Sequence, residues 1–360
     1  EVPVMRPGVA KIPPYEAGRP IEEVARSIGL DPATVIKLAS NESPNPPFPE
    51  VVEAIAAAAA GSNRYPDNDW HQLAEAVADR LDIDPDHLMF GGGTSELLRV
   101  TSLAVGGEGT SAVYPWPSFI IYRMGSVLAG SATIEVPLTA DYHLDLDAMS
   151  GAIRDDTTVV FLCNPNNPTG THRSAAAVAE FVASIPQQTL VVVDEAYFEY
   201  VTASDYRSAL DLALERPNVI VLRTFSKIYS LASLRVGYAI GHPSTLADLR
   251  RAQAPFTVNG LAQVAALTAV QYPNRVAERA EFNARERGRL EKALEERHVE
   301  FVPSQANFVY LRPDRMADDT FQAFLHLGVI VRQFGNGWIR VTIGSVEEND
   351  RFLQTLDSLL

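Results

Sequence analysis

Lys227 is one of only four lysines in the chain, and it lies in the run TFSKIYSLASLRVGYAIG (224–241). Its sequence neighbours Phe225 and Ile228 are apolar. Because an ammonium group is poorly solvated in such surroundings, its pKa falls and the neutral amine becomes a usable nucleophile. Lys227 is therefore a candidate for Schiff-base chemistry. The structural alternative, a lysine that reaches bulk water, fits a polar loop better than this run.

Asp194 is a second candidate, because it ends the apolar run TLVVVD. A carboxylate at such a place is costly unless a cation or hydrogen-bond donors meet it. It is either an N-cap or ion-pair partner, or the partner of a protonated ring nitrogen in a ligand. Tyr197 follows close behind it in DEAYFEY and is expected near the same site.

The elements that must position these residues are short apolar runs separated by helical stretches. Such a pattern is typical of a parallel sheet covered by helices on both faces. Ligands of such sheets bind at the carboxyl ends of the strands. We expect the polar or aromatic groups after five runs to form one site: HLMF before GGGTSE, SAVY before PWPSFIIY, TVVFLC before NPNNPTG, TLVVVD before EAY, and NVIVLRT before FSK.

The run GGGTSELLRV (91–100) predicts a glycine-rich turn that opens a helix. Exposed amide groups at a helix N-terminus hold anions. The run is neither a Walker A loop nor a GxGxxG motif, and alone it is as often structural as functional. Together with Ser226 and Arg235 it would complete a phosphate site. An anion site, an aspartate, a tyrosine and a lysine are the groups that pyridoxal 5′-phosphate requires.

Four motifs carry a resemblance to a known family: NPNNPTG, DEAYFEY, TFSKxYxLAxLRVGY and WIRVTIG. They resemble the fold-type I pyridoxal-phosphate aminotransferases, and within them the histidinol-phosphate aminotransferase group with its aromatic-amino-acid branch. The similarity extends from about KLASNESP to EEND. It implies an α/β fold, with a large domain built on a mostly parallel central sheet flanked by helices and a smaller α+β domain. It also implies pyridoxal 5′-phosphate, a small-molecule amino donor, a 2-oxo acid acceptor, ping-pong kinetics and a homodimer with shared active sites.

The resemblance assigns expected cofactor roles to individual residues. Lys227 would form the Schiff base and move the proton, and Asp194 would pair with the pyridine nitrogen. Tyr197 and Asn167 would hydrogen-bond the ring oxygen, and Phe119 would stack on the ring. The expected phosphate ligands are Thr94, Ser95, Ser226, Arg235 and a Tyr65 that reaches the phosphate across the subunit boundary.

Four further residues are expected on the substrate side. Arg340, in WIRVTIG, matches the arginine that clamps the substrate carboxylate, and a planar guanidinium suits bidentate recognition of that group. Arg332, in VIVRQF, matches a second arginine. Tyr15 matches a tyrosine that covers the substrate, and Asn41 matches a residue near its carboxylate.

Three segments are expected along the chain. Residues 1–40 are rich in proline and glycine, with one helical stretch near Ile21–Ile28, and form an arm that contributes to the small domain and to the active-site cover. Residues 41–255 form the large cofactor-binding domain. Residues 256–360 form the small domain, which starts with a long charged helix, VAERAEFNARERGRLEKALEERH, followed by three short strands, ANFVYLR, VIVRQF and WIRVTIG.

Composition excludes several classes of function. A net charge of −15 argues against binding to nucleic acid or to anionic membranes. Cys163 is the only cysteine, so no internal disulfide can form, and a cytoplasmic location is expected. No apolar run reaches the length of a membrane helix. The histidines show no metal-ligand spacing and no HExxH or CxxC motif occurs, so no metal site is expected.

The residues leave the reaction partly open. The amino donor is either an aromatic amino acid, which is slightly favoured, or histidinol phosphate. For an aromatic donor, the apolar pocket would be lined by Trp116, Phe119, Ile120 and Phe256. A pyridoxal-phosphate decarboxylase, such as a threonine-phosphate decarboxylase, is a further alternative. A non-catalytic cofactor-binding module is disfavoured because no basic DNA-binding segment is present.

The lysine run also departs from its family. Relatives commonly have alanine and two glycines where this chain has Ile228, Ser230 and Ser233. Glycines at such places allow close backbone approach or unusual dihedral angles. We expect Ile228 and Ser230 to alter the packing beside the lysine without removing catalysis.

Overall fold

A computed structural model describes residues 7–10, 12, 20–313 and 320–360. Tyr15 lies outside the described residues. The described α-helices are α1 (Pro7–Ala10), α2 (Ile21–Ile28), α3 (Pro49–Ala58), α4 (His71–Leu81), α5 (Thr94–Val105), α6 (Ile121–Ala129), α7 (Leu146–Gly151), α8 (Ala175–Ser184), α9 (Leu210–Glu215), α10 (Pro243–Arg250), α11 (Gly260–Ala269), α12 (Pro273–Glu296), α13 (Thr320–His326) and α14 (Val346–Leu359).

The strands form three sheets. Short 3₁₀ turns occur at Pro32–Thr34, Ala59–Gly61, Pro85–His87, Phe198–Tyr200 and Ala232–Leu234. The strands are β1 (Ile36–Lys37), β2 (Leu88–Gly91), β3 (Ser111–Trp116), β4 (Ala132–Pro137), β5 (Thr157–Cys163), β6 (Leu190–Asp194), β7 (Val219–Thr224), β8 (Gly237–Gly241), β9 (Glu300–Val302), β10 (Phe308–Arg312), β11 (Val329–Ile330), β12 (Arg332–Gln333) and β13 (Ile339–Thr342).

The central sheet has seven strands in the order β2-β8-β7-β6-β5-β3-β4. All are parallel except β8, which runs antiparallel to both of its neighbours, β2 and β7. Strands β6 and β7 are buried at every position, as apolar strands with helices on both faces require. The fold is the predicted α/β arrangement, with a mostly parallel central sheet flanked by helices.

A smaller sheet lies later in the chain, with strands in the order β12-β13-β10-β9 and antiparallel pairing throughout. Its core contains Leu290 and Leu294 of α12 and Phe352 and Leu356 of α14. Helix α14 begins with a capping box in which Ser345 and Glu348 satisfy each other's backbone amides. The predicted long helix is present as α12, and it begins at a proline, a residue suited to the first turn.

The described part of the N-terminal segment packs onto this later region. Strand β1 pairs in parallel with β11, joining Ile36 to Val329 and Lys37 to Ile330. Val24 and Ala25 of α2 share a small core with Leu325 of α13. The expected domain division at residues 40 and 255 stays a prediction.

Two strands of the central sheet were not predicted from the sequence. Strand β4 is one of the two edge strands and is only partly buried, and its composition is less apolar than that of the inner strands. Strand β8 lies inside the lysine run itself, where glycines at both of its ends conceal the strand pattern. None of the described helices combines the length and the apolar character that a membrane crossing needs.

Candidate active site

The carboxyl ends of β2, β3, β5, β6 and β7 meet at one cavity of about 500 Å³. The five polar endings named from the sequence all contribute to its wall. The cavity is lined by Ala39, Ser40, Asn41, Glu42, Thr94, Ser95, Trp116, Ser118, Phe119, Ile120, Cys163, Asn167, Asp194, Ala196, Tyr197, Thr224, Ser226, Lys227, Ala232, Arg235, Arg332, Gln333, Phe334 and Arg340.

Lys227 is placed by a tight turn that follows β7. The Ser226 amide donates to Thr224 Oγ1 over 3.0 Å, and the Ser230 amide donates to the Lys227 carbonyl over 3.0 Å. Lys227 Nζ donates to the Ser40 carbonyl oxygen at 3.1 Å. Burial, together with the positive charge of Arg340, lowers the pKa of Lys227 to about 8. The amine is therefore neutral over part of the physiological pH range, as a nucleophile or general base must be.

Asp194 lies at the end of β6 with its carboxylate fully enclosed. Tyr122 Oη donates to Asp194 Oδ2 at 2.8 Å, and the Ala196 amide donates to Oδ1 at 3.2 Å. Burial raises the pKa of Asp194 to about 6, and the Tyr122 hydrogen bond opposes that rise. A buried carboxylate with so few donors suits a protonated partner that approaches from the cavity.

Tyr197 is held by the N-terminal segment of the described chain. Asn41 Nδ2 donates to Tyr197 Oη at 2.9 Å. Asn41 is buried and has a φ of 55°. Its backbone amide donates to Thr342 Oγ1, and its backbone carbonyl accepts from Asn307 Nδ2. A backbone in this region is unusual for residues other than glycine, although asparagine tolerates it. These contacts connect the tyrosine hydroxyl to the small sheet.

The residues of the predicted anion site meet at the N-terminus of α5, where Thr94 and Ser95 begin the helix. Gly93 has φ of 83°, a conformation that favours glycine, and a Cβ there would lie 2.4 Å from Arg235 Nη2, so the guanidinium would have to shift. Arg235 Nη1 donates to Ser226 Oγ at 3.2 Å. Amide donors, hydroxyls and a guanidinium thus converge as a phosphate group requires.

Arg340 faces this region from β13 and is almost completely buried. Its Nη1 donates to Asn167 Oδ1 and its Nη2 donates to the Ala39 carbonyl at 2.7 Å. Arg332 lies directly opposite on β12, paired with Arg340 in the strand register. Arg332 and Arg340, both predicted on the substrate side, therefore lie on one wall of the cavity. Arg340 also contacts Asn167, which was predicted on the cofactor side.

Two aromatic residues named from the sequence lie away from the cavity. Tyr65 is 82% exposed and stacks on Phe256, with ring centroids 4.6 Å apart. Phe256 adopts φ of 56°, and its ring lies against Tyr65 rather than in the cavity wall. Of the expected pocket residues, Trp116, Phe119 and Ile120 line the cavity of their own chain, Phe256 lies outside it beside Tyr65, and Phe334 is a further aromatic in the cavity wall.

Three contributors to the site were missed from the sequence. Tyr122 was detectable, because it follows Phe119 by nearly one helical turn in PSFIIY. The Ser40 carbonyl is a backbone group, which leaves no trace in side-chain patterns. Arg279 of α12 donates to Ile228 O at 2.7 Å and to Ser230 Oγ at 2.8 Å, but nothing distinguishes it among the many charges of that helix. Arg279 thus contacts the Ile228 carbonyl and the Ser230 hydroxyl; that Ile228 and Ser230 alter the packing relative to the family stays a prediction.

A family model describes most of this chain. Residues 33–356 match the model for "Aminotransferase class I and II". The histidinol-phosphate aminotransferase of Moorella thermoacetica is 41% identical over all of this chain and 94% of its own length. The aromatic amino acid aminotransferase of Thermobifida fusca is 42% identical over 98% of this chain and 96% of its own length. Similar identity to relatives with two different names leaves the substrate to be argued from the site.

A solved structure adds the cofactor. The histidinol-phosphate aminotransferase of Sinorhizobium meliloti, in complex with pyridoxal 5′-phosphate, superposes with a TM-score of 0.90 at 27% identity, covering 99% of this chain and 98% of that one. Its fold and cofactor agree with the anion site, the buried carboxylate and the lysine of the cavity described above. The chain belongs to the class I and II aminotransferases, and its cofactor is pyridoxal 5′-phosphate.

Proposed function

We propose that this enzyme transfers the amino group of an aromatic amino acid to a 2-oxo acid, with 2-oxoglutarate as the acceptor. The observation that carries the proposal is the composition of the cavity wall. Trp116, Ile120 and Phe334 provide apolar and aromatic surface within the same cavity as the buried guanidinium of Arg340. An aromatic amino acid presents the matching groups, a carboxylate for a bidentate arginine and a ring for apolar side chains.

The residues present fit pyridoxal 5′-phosphate. Thr94, Ser95, Ser226 and Arg235 would hold its phosphate, because their donors converge where the missing Cβ of Gly93 leaves room. Phe119 would stack on its ring, and Asn167 and Tyr197 would hydrogen-bond its ring oxygen. Bound there, the cofactor supplies a carbonyl carbon that takes up the amino group and a ring that accepts electrons.

Two titratable residues would perform the proton chemistry. Lys227 would hold the cofactor at rest and, once released, would take and return a proton through Nζ. Its lowered pKa favours the neutral form that must accept that proton. Asp194 holds a negative charge against the ring nitrogen, and the hydrogen bond from Tyr122 keeps the carboxylate oriented.

Arg340 and its neighbours would orient the substrate. The arginine already donates to the Ala39 carbonyl and to Asn167, so its guanidinium plane is fixed before any ligand arrives. A preorganised fork loses little entropy when it binds a carboxylate. Asn41, beside Ala39, would lie near the same carboxylate. The cover expected from Tyr15 stays a prediction.

Histidinol phosphate is the second candidate donor. The observation that favours it is the pairing of Arg332 with Arg340 in the register of β12 and β13. A second guanidinium on the cavity wall could bind a phosphate group at the far end of the substrate. For an aromatic amino acid, Arg332 would instead serve the distal carboxylate of the 2-oxo acid acceptor.

A homodimer is part of the proposal. Tyr65 and Phe256 form an exposed stacked pair outside the cavity of their own chain. Large exposed aromatic groups favour an interface over solvent. If Tyr65 reaches the phosphate across a two-fold axis, each site takes a residue from the other subunit. Sedimentation of the holoenzyme, compared with a Tyr65→Ala variant, tests the assembly.

A donor panel with 2-oxoglutarate as acceptor tests the reaction. The proposal expects a higher kcat/KM for phenylalanine than for histidinol phosphate, with parallel double-reciprocal lines. A preference for histidinol phosphate would replace the first candidate by the second. Release of carbon dioxide without an amino acceptor would indicate a decarboxylase and overturn both.

A further inference from the structure

Arg279, on α12, forms hydrogen bonds with two segments of the active site. Its Nη1 donates to the Ile228 carbonyl at 2.7 Å and to Ser230 Oγ at 2.8 Å, both in the turn that carries Lys227. Its Nη2 donates to the Pro46 carbonyl at 2.6 Å. The guanidinium also lies 4.1 Å from the centre of the Phe48 ring. One side chain therefore joins the lysine turn to the segment around residues 40–48.

These two segments hold the Lys227 amine between them. The turn carries the lysine backbone, and Ser40 provides the carbonyl that accepts from Nζ at 3.1 Å. The distance between the amine and that carbonyl depends on how the turn lies against residues 40–46. The bonds of Arg279 to Ile228 and Pro46 fix that relative position.

Ser230 fits this arrangement. It adopts φ of 61°, a conformation that disfavours side chains with a Cβ. A residue held there carries a strain of about 1 kcal/mol or more, which the surrounding structure must offset. The serine hydroxyl accepts from Arg279 at 2.8 Å, a contact that a glycine could not make. The Ser230 side chain thus provides one of the acceptors of the guanidinium.

We propose that Arg279 is a positioning residue for Lys227. It holds the lysine turn against the Ser40 segment, so that the amine returns to one place each time it is released during turnover. This inference rests on the proposed role of Lys227 in the reaction. Arg279 itself does not touch the cavity, so its effect passes through the turn and not through contact with substrate or cofactor.

The planar guanidinium of Arg279 allows one side chain to bind both segments. Three acceptors at different places receive hydrogen bonds from Nη1 and Nη2. A lysine ammonium is a single point on a flexible stem and cannot reproduce that geometry. Arg279→Lys, which keeps the charge, is therefore expected to behave more like Arg279→Met than like the wild type.

Arg275 provides a matched control one helical turn earlier on α12. It forms an ion pair with Glu50, and its guanidinium lies over Tyr272 and within 5.4 Å of the Phe48 ring centre. Its hydrogen bonds go to Glu50 and not to the lysine turn. Arg275→Met thus removes a comparable arginine from the same helix while leaving the contacts of Ile228 and Ser230 in place.

The test follows the visible absorbance of the lysine-bound cofactor in the holoenzyme as pH is varied, together with the single-turnover rate with an amino donor. Arg279→Met and Arg279→Lys are expected to shift the midpoint of the absorbance titration by about half a unit or more. They should slow the single turnover by about tenfold to a hundredfold, the cost of a misplaced reacting group. Ser230→Ala should change the titration midpoint and the single-turnover rate in the same directions as the Arg279 variants, but by smaller amounts.

The controls separate positioning from stability. Arg275→Met is expected to lower the melting temperature but to leave the titration and the single-turnover rate unchanged. If Arg279→Met fails to fold, Arg279→Lys and Ser230→Ala carry the test. Unchanged titration and turnover in folded Arg279 variants would overturn the inference. In that case, loss of the visible absorbance in Lys227→Ala would leave the proposed function intact, whereas its persistence would overturn the proposed function instead.

Discussion

The hydroxyl of Tyr122 is expected to keep Asp194 ionised at neutral pH. The Tyr122 side chain is completely buried, and its hydroxyl donates to Asp194 Oδ2 at 2.8 Å, while Asp194 Oδ1 accepts the Ala196 amide at 3.2 Å. Tyr122→Phe removes the hydroxyl and keeps the ring, which stacks on Phe161 at 5.0 Å. The perturbation is thus confined to one hydrogen bond.

The size of the expected change in the pKa of Asp194 follows from the charge of the hydrogen-bond acceptor. A hydrogen bond to a charged group contributes about 1.5–3 kcal/mol, and each pKa unit corresponds to about 1.4 kcal/mol. The variant should therefore raise the pKa of Asp194 from about 6 by about one to two units. At pH 7 about half or more of the carboxyl groups would then be protonated and unable to carry the charge that balances the ring nitrogen. Cofactor affinity should fall about twofold to tenfold, in proportion to the lost ionised fraction.

The apoenzyme gives a readout that does not depend on turnover. Folding raises the pKa of Asp194 from 3.8 to about 6, so this group favours the folded state most when it is protonated in both states, below about pH 4. That favourable contribution is lost as pH rises through about 6. In Tyr122→Phe the loss should continue to about pH 7 or 8, because the folded pKa is higher. Cys163, Glu195 and Lys227 face the same carboxyl and are unchanged between the two proteins.

Melting temperatures of the apoenzyme from pH 4 to 8, and cofactor titrations at pH 7, test this reasoning. Tyr114→Phe is the matched control, since Tyr114 is equally buried nearby but its hydroxyl donates to Glu135 at 3.0 Å. The control should lower stability by a similar amount at every pH. If Tyr122→Phe showed the same pH dependence as Tyr114→Phe and full cofactor affinity, the hydroxyl would not govern Asp194.

Three further predictions concern other parts of the site. Gly93→Ala should weaken cofactor binding in equilibrium dialysis, because the new Cβ would lie 2.4 Å from Arg235 Nη2 at φ of 83°; unchanged binding would contradict the anion site. Arg340→Lys should raise KM for amino-acid donors by about tenfold while lowering kcat less, and an unchanged KM in steady-state assays would show that another group clamps the carboxylate. In the apoenzyme, the Lys227 amine should be labelled by an acylating reagent with a midpoint near its lowered pKa of about 8, and mass spectrometry showing a midpoint near the ordinary 10.5 would refute its burial among positive charges.

The sequence was sufficient to predict those site residues whose positions are set by the carboxyl ends of strands. Asp194 ends one fully buried strand and Lys227 follows another, and parallel strands that end at one edge bring such residues together. The glycines before Thr94 likewise predicted the anion site, because backbone amides and a helix start follow from local sequence.

Other features depend on contacts between distant segments, and local patterns do not report them. Asn41 reaches Tyr197 across 156 positions, and Arg279 reaches Pro46 across 233. Phe256 was placed in the pocket by its aromatic character alone, and no local pattern signals its stacking on Tyr65, which is 191 positions earlier in the chain. Strand β8 was missed because its pairing with β2 and β7, rather than its own composition, defines it.

The sign of the charge inside the cavity is opposite to that of the molecule. The chain carries a net charge of −15, yet the cavity wall holds Lys227, Arg235, Arg332 and Arg340 against Asp194 and Glu42. An anionic 2-oxo acid is thus repelled at long range and attracted once inside. At about 0.1 M salt the screening length is about 10 Å, which weakens the outer repulsion more than the inner attraction. The rate at which such an acceptor associates should therefore pass through a maximum as salt is added, where a uniformly charged surface would give a steady rise or a steady fall.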